Sequence, residues 1–174
     1  FKAMVVGSFG SPRKMWNLLQ ASAILLGISL AVTPAFKMRF WNIGAEGQVL
    51  VGGLATVAVM MFFGDKLSLP VLLVVMIAAS ILAGIIWALL PAVAKALWNT
   101  NETLFTLMMN YIAVGLVSYF INNWSTNGSG VLGQIQTGHL PEIVNPHLLT
   151  IIVVVVITAI MYIYLKYSKQ GYEL

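Results

Sequence analysis

Five long apolar runs constrain this chain more than any other feature. They cover about Trp16–Phe36, Gln48–Gly64, Pro70–Trp98, Glu102–Asn122 and Leu148–Leu165. A helix that spans a bilayer needs about 20 apolar residues, within a range of about 17–25. The first, fourth and fifth runs meet that requirement, the second sits at its short limit, and the third is long enough to tilt or to protrude. Only 8% of the residues are charged and 60% are hydrophobic, whereas a soluble domain carries about 25% charged residues. Such a chain cannot cover its surface with polar groups, so its solvent is lipid. The expected fold is all-α, a polytopic transmembrane helical bundle forming a single domain over residues 1–174. The second segment is either merely short or broken by re-entrant backbone.

The formal net charge is +4 and the pI is near 9.5, yet the nine Lys and Arg residues are scattered. No basic cluster tracks a phosphate backbone, so nucleic acid is not an expected partner. Cationic loops against anionic headgroups of a lipid bilayer account for the charge. The absence of cysteine excludes disulfides, thiolate metal sites and cysteine catalysis. No cationic start leads into an apolar core and cleavage site, so no signal peptide is visible. A start at Phe1 and a stop at Gly171–Leu174 suggest a piece of a longer polypeptide.

Between the fourth and fifth runs, Asn122–Pro146 is rich in Gly, Asn, Ser and Thr and holds no Lys or Arg. It is expected to lie outside the hydrocarbon. Its Asn-x-Ser matches at Asn123 and Asn127 are short patterns that arise by chance, and His139 and His147 are expected to be solvated rather than metal ligands. Lys and Arg near the run ends set orientation. Lys37, Arg39, Lys95, Lys166 and Lys169 share one side, which places residues 37–47, 95–101 and the C-terminus in the cytoplasm. Lys66 and the long loop fall opposite, together with Lys2, Arg13 and Lys14, which run against the trend.

Ser80, Gly84, Ala88, Ala92 and Ala96 recur every four residues along the third run. They form a small-residue ridge on which another helix backbone can approach closely. Pro91 lies in the same helix and is a candidate kink, since neighbours must satisfy the carbonyl it leaves unpaired.

Two polar constellations interrupt the apolar pattern. The first is Phe40-Trp-Asn-Ile-Gly-Ala-Glu-Gly-Gln48. An ionised Glu at mid-membrane costs about 2.5–3.5 kcal/mol, while each Leu or Ile returns only about 0.5. A continuous lipid-facing helix through Asn42, Glu46 and Gln48 is therefore disfavoured, and Gly44 and Gly47 make irregular backbone easy. One alternative is a cytoplasmic turn that starts the second helix, with Glu46 at the positive end of its dipole. The other is a broken helix whose polar groups line a passage. The second constellation is Asn99–Tyr111. Asn99 followed by Glu102 resembles a capping box. Asn110 falls inside the apolar run and must face another helix or a cavity, with an interhelical hydrogen bond as its simplest use.

No catalytic set emerges: there is no Ser-His-Asp arrangement, no helical His pair and no phosphate-cradling glycine loop. Neither an enzymatic activity, a cofactor nor a metal is expected. The functional classes left are a transporter and a structural membrane subunit.

At Phe40–Gly53 the chain resembles the permease subunits of bacterial ABC importers in the ribose, branched-chain amino acid and nucleoside superfamily. It is most similar to the simple-sugar and nucleoside branch. Permeases of that branch carry an Asn-Ile-Gly-Ala-Glu-Gly-Gln run, present in full at Asn42–Gln48. They also carry an Asn-Glu stretch leading into a helix with an inner Asn-Tyr, matched by Asn101–Glu102 and Asn110–Tyr111. Gly171–Leu174 looks like the start of the family's ATPase-contacting segment. The resemblance implies a permease of the bacterial cytoplasmic membrane that forms the path for a simple sugar or nucleoside, with Asn42, Gly44, Glu46, Gly47, Gln48 and Asn110 along that path. The implied partners are a cytoplasmic ABC ATPase, a second permease subunit and an extracytoplasmic solute-binding lipoprotein. The rival is a carrier driven by an ion gradient, with Glu46 as the coupling carboxylate.

Overall fold

The computed structural model describes residues 2–125, 130–133, 135, 137–139, 148–169 and 171. The described residues form six helices and no strand: α1 (Lys2–Phe9), α2 (Pro12–Lys37), α3 (Ala45–Phe63), α4 (Leu69–Trp98), α5 (Glu102–Trp124) and α6 (Leu148–Tyr167). The five from α2 to α6 are long and apolar enough to cross a membrane. Each matches one expected run, whereas α1 precedes the first run and has no counterpart in the expectation. Asn127, His147 and Tyr172–Leu174 lie outside the described residues.

The burial pattern is that of a protein dissolved in lipid. Large apolar side chains such as Leu25, Val74, Leu97 and Met108 are exposed. Gly44, Gly47, Gly52, Thr106 and Asn110 are buried. In water this inversion would be ruinous; in hydrocarbon, small and polar groups gain most from facing protein.

Two compact units divide the chain: residues 1–40 with 141–174, and residues 41–140. In the first, α2 packs on α1 and on α6, with Val154 Cγ2 3.6 Å from the point where a Cβ on Gly27 would lie. Ser11 caps α2 by accepting from the Lys14 N–H at 3.4 Å, and Pro12 starts the helix without wasting a donor. The other end closes as a Schellman turn. Phe40 N–H donates to the Ala35 carbonyl at 2.9 Å and Arg39 N–H to Phe36 at 3.0 Å. Arg39 occupies the left-handed position, φ 58°, that glycine usually fills. Its charge favours the negative end of the helix.

The second unit holds α3, α4 and α5, with α3 packed chiefly on α4 and also on α5. At about 1.5 Å per residue, the 19 residues of α3 reach about 28 Å, just enough for a hydrocarbon core of about 30 Å. The 30 residues of α4 exceed it. Helices α3 and α4 meet where Gly52 lies against Ser80, whose Oγ is 3.0 Å from the position of the missing Cβ. At the α3 C-terminus, Phe62 meets Trp124 edge-on at 6.1 Å, and Trp124 also packs on Phe120 at 5.2 Å. Such aromatics with Lys66 nearby suit a membrane interface.

The turn between α4 and α5 departs from the expected capping box. Asn99 ends α4, left-handed at φ 47°, with its N–H on the Lys95 carbonyl. The N-cap of α5 is Asn101, whose Oδ1 accepts from the Leu104 N–H at 3.2 Å. Glu102 is thus the first residue of the helix and pairs with Lys95 at 3.0 Å. Two adjacent helix ends need two asparagines, one at φ > 0 and one with a side-chain acceptor.

Candidate functional site

Residues 42–48 start α3, and that start explains their composition. The N-cap is Gly44, which brings no side chain to the free N–H groups of the first turn. The cap is supplied from elsewhere. Asn42 Oδ1 accepts the Gly44 N–H at 2.9 Å, and Asn110 Oδ1, from the middle of α5, accepts the Gly47 N–H at 2.9 Å. The other end of the Asn110 amide donates to the Ile43 carbonyl at 3.0 Å. Only this orientation of the amide satisfies both groups, since the reverse sets donor against donor.

One turn earlier on α5, Thr106 Oγ1 accepts the Ile43 N–H at 3.2 Å. Both backbone groups of Ile43 are therefore held by side chains of a helix 63 and 67 residues away. Thr106 is fully buried and Asn110 is 7% exposed. The glycines permit this approach. A Cβ on Gly44 would meet Thr106 Cβ at 3.1 Å, and one on Gly47 would meet Asn110 Oδ1 at 2.9 Å and Trp87 Nε1 at 3.1 Å. The Trp87 indole N–H is buried there without a hydrogen-bond partner among the described residues, as is Thr100 Oγ1.

The sequence-predicted residues thus divide. Asn42, Gly44, Gly47 and Asn110 come together and are occupied with one another's backbone. Glu46 is exposed in the first turn of α3, and Gln48 is half-buried. Helix α3 runs unbroken from Ala45, and the irregular backbone is confined to the residues before it. Three cavities of about 260–340 Å³ lie along this unit, and the polar set lines none of these three. The ridge residues also divide. Ser80 faces Gly52, a Cβ on Gly84 would find nothing within 4 Å, Ala88 is half-buried and Ala92 is exposed. The face of α4 buried in this unit runs instead through Leu72, Met76, Pro91 and Ala94. Sequence reasoning missed Thr106. Its signal was the four-residue spacing that puts it on the same helix face as Asn110.

An all-helical bundle with lipid-facing apolar surface and a side-chain-capped polar helix start defines a polytopic membrane protein. The chain belongs to the family described as branched-chain amino acid transport system / permease component, whose model matches residues 15–174. It is similar to the guanosine ABC transporter permease protein NupP of Bacillus subtilis (strain 168), 31% identical over 184 residues, covering 100% of this chain and 52% of that protein. It is also similar to the glucose ABC transporter permease protein TsgB13 of Haloferax volcanii, 34% identical over 136 residues, covering 77% of this chain and 35% of that protein. The nucleoside ABC transporter permease protein NupB of Lactococcus lactis is 27% identical over 123 residues, covering 71% and 34%. The chain spans about half the length, or less, of these relatives. No solved structure matches it.

Proposed function

We propose that the chain is the helical body of an ABC importer permease that carries a nucleoside or simple sugar across a bacterial cytoplasmic membrane. The observation that carries this reading is the helix start at 42–48. A chain in lipid buries several hydrogen bonds to fix a backbone segment that leaves Glu46 exposed and Gln48 half-buried. Donors and acceptors of this kind suit a polyhydroxylated, uncharged solute. The names of the guanosine, nucleoside and glucose permeases above support that solute class. The permease does no chemistry; it alternates access while a separate cytoplasmic ATPase hydrolyses ATP. A second permease subunit and an extracytoplasmic binding lipoprotein complete the complex. Residues 42–47 and the Lys95–Glu102 pair lie at one end of their unit, and Gly64 and Thr137 at the other. This grouping supports the charge-derived orientation. The ridge at Gly84, Ala88 and Ala92 is assigned to packing with a helix outside this unit.

Uptake of labelled guanosine and of glucose into vesicles holding the full-length permease, its ATPase and its binding protein tests the reading. One of the two is expected to accumulate only with ATP. Glu46→Ala is expected to cut that uptake about tenfold at unchanged complex abundance, the scale of losing one hydrogen bond of about 1.5–3 kcal/mol from the exposed charged acceptor to the solute. Uptake that ignores ATP and follows a proton or sodium gradient overturns the reading, as does failure to carry either solute. Gly84→Leu has room within its own unit, so loss of complex assembly in that variant is the expected sign of a helix seated on the ridge.

A further inference from the structure

We propose that Thr106, together with Asn110, is a positioning residue of the transport path: its hydroxyl fixes Ile43, so that the start of α3, and with it Glu46 and Gln48, is held in one place. The inference rests on the permease function proposed above. Ser29, Thr33, Thr56, Ser118 and Thr158 each donate a hydroxyl proton to the carbonyl four residues back and, among the described residues, accept no hydrogen bond from another segment. Thr106 makes the same bond, to the Glu102 carbonyl at 2.7 Å. The single hydroxyl proton is spent within α5, on this carbonyl or on the Thr103 carbonyl at 3.2 Å, which leaves the oxygen to accept from outside the helix. It receives the Ile43 N–H from across the fold. The role is thus directional: towards the Ile43 N–H, which is a donor, the Thr106 oxygen can only accept.

Ile43 is 46% exposed while its peptide groups are held on both sides. Packing of the side chain therefore does not place this residue; the two hydrogen bonds do. The Thr106 Cβ also lies 3.1 Å from the missing Cβ of Gly44, so that α5 acts as a template against which the turn is pressed. Because Thr106 is fully buried, it is closed to a solute in this structure and acts through the segment it holds.

The chain contains no cysteine, so a single Glu46→Cys reporter can be read in the full-length permease, with any cysteines outside this chain replaced. Labelling by a membrane-impermeant maleimide in inside-out vesicles is expected to change at least about threefold when Thr106→Val is added, and to return with Thr106→Ser. In the native Glu46 background, Thr106→Val is expected to lower the maximal uptake per assembled complex about tenfold with KM within about twofold of the parent, and Thr106→Ser to rescue it. Parent-like labelling and uptake in Thr106→Val overturns the proposal. A KM change with unchanged labelling also overturns it, since that marks a direct solute contact. So does a fall in complex abundance alone, which marks a folding role only. The labelling arm needs no solute: if the parent complex carries neither guanosine nor glucose, the transport reading fails while labelling still decides whether Thr106 positions the segment.

Discussion

The start of α3 and its middle are held to neighbouring helices by opposite means. At the start, side chains of α5 bond to backbone groups at Ile43 and Gly47, and the contact is polar and directional. At the middle, Gly52 brings the α3 backbone against Ser80 of α4, and the contact is one of shape. Both use glycine to let backbones approach. The start needs glycine so that a donor can be reached; the middle needs it so that two surfaces can touch. In hydrocarbon neither contact gains from expelling water, so each depends on how well its own atoms fit or pair. A directional contact fails when one atom is lost, whereas a shape contact fails when one is added.

Asn110→Leu should have the largest effect, because it keeps the branched side-chain skeleton and strands both the Gly47 N–H and the Ile43 carbonyl, at about 1–3 kcal/mol for each group. Thermal unfolding of the full-length permease in detergent should show a clear loss of stability. If the loss is no larger than for a surface substitution, the two ends of α3's attachment do not differ in kind.

Gly47→Ala comes next. Its Cβ would crowd Asn110 Oδ1 and Cα and Trp87 Nε1 at 2.9–3.2 Å, an overpacking cost of about 1–3 kcal/mol. The same thermal assay should place it below Asn110→Leu in damage.

At the middle, the neighbours Gly52 and Gly53 form an internal control. A Cβ on Gly52 would meet Ser80 Oγ at 3.0 Å, and one on Gly53 would meet nothing within 4 Å. Gly52→Ala should destabilise by about 1 kcal/mol and be partly rescued by Ser80→Ala, which removes the crowded atom. Gly53→Ala should gain about 0.5–1 kcal/mol from helix propensity. Effects of the same sign at both sites would remove shape as the basis of the α3–α4 contact.

Trp87→Phe is the smallest change. It removes a buried N–H that has no partner among the described residues and keeps most of the ring. A shift in melting temperature of zero or slightly upward is expected. A marked loss would mean that the indole donor is bonded when the complex is assembled.

Much of the helical layout was legible beforehand, and for a local reason. Hydropathy sums over consecutive residues, so the run at Pro70–Trp98 becomes α4 at Leu69–Trp98, and the run at Leu148–Leu165 becomes α6 at Leu148–Tyr167. Caps were harder, because Asn99, Asn101 and Glu102 are all good boundary residues. Which asparagine ends one helix and which begins the next depends on a φ value that composition does not carry. The small-residue ridge illustrates the same limit. A four-residue period slips relative to the 3.6-residue turn. The face buried here therefore passes through Ser80 and on to Pro91 and Ala94, leaving Ala92 exposed.

What the sequence determined by itself is the solvent, the number of spanning runs and the place where polarity breaks the apolar pattern, because each follows from the transfer energies of neighbouring residues. What only the tertiary structure decided is the use of that polarity. Asn42, Gly44, Gly47 and Asn110 were visible as an anomaly, but nothing local says that Asn110 caps a helix at Gly47, 63 residues earlier, or that Thr106 completes the cap. A hydrogen bond is fixed by distance and angle between two atoms. For atoms that far apart along the chain, both are set only once α5 has packed against α3.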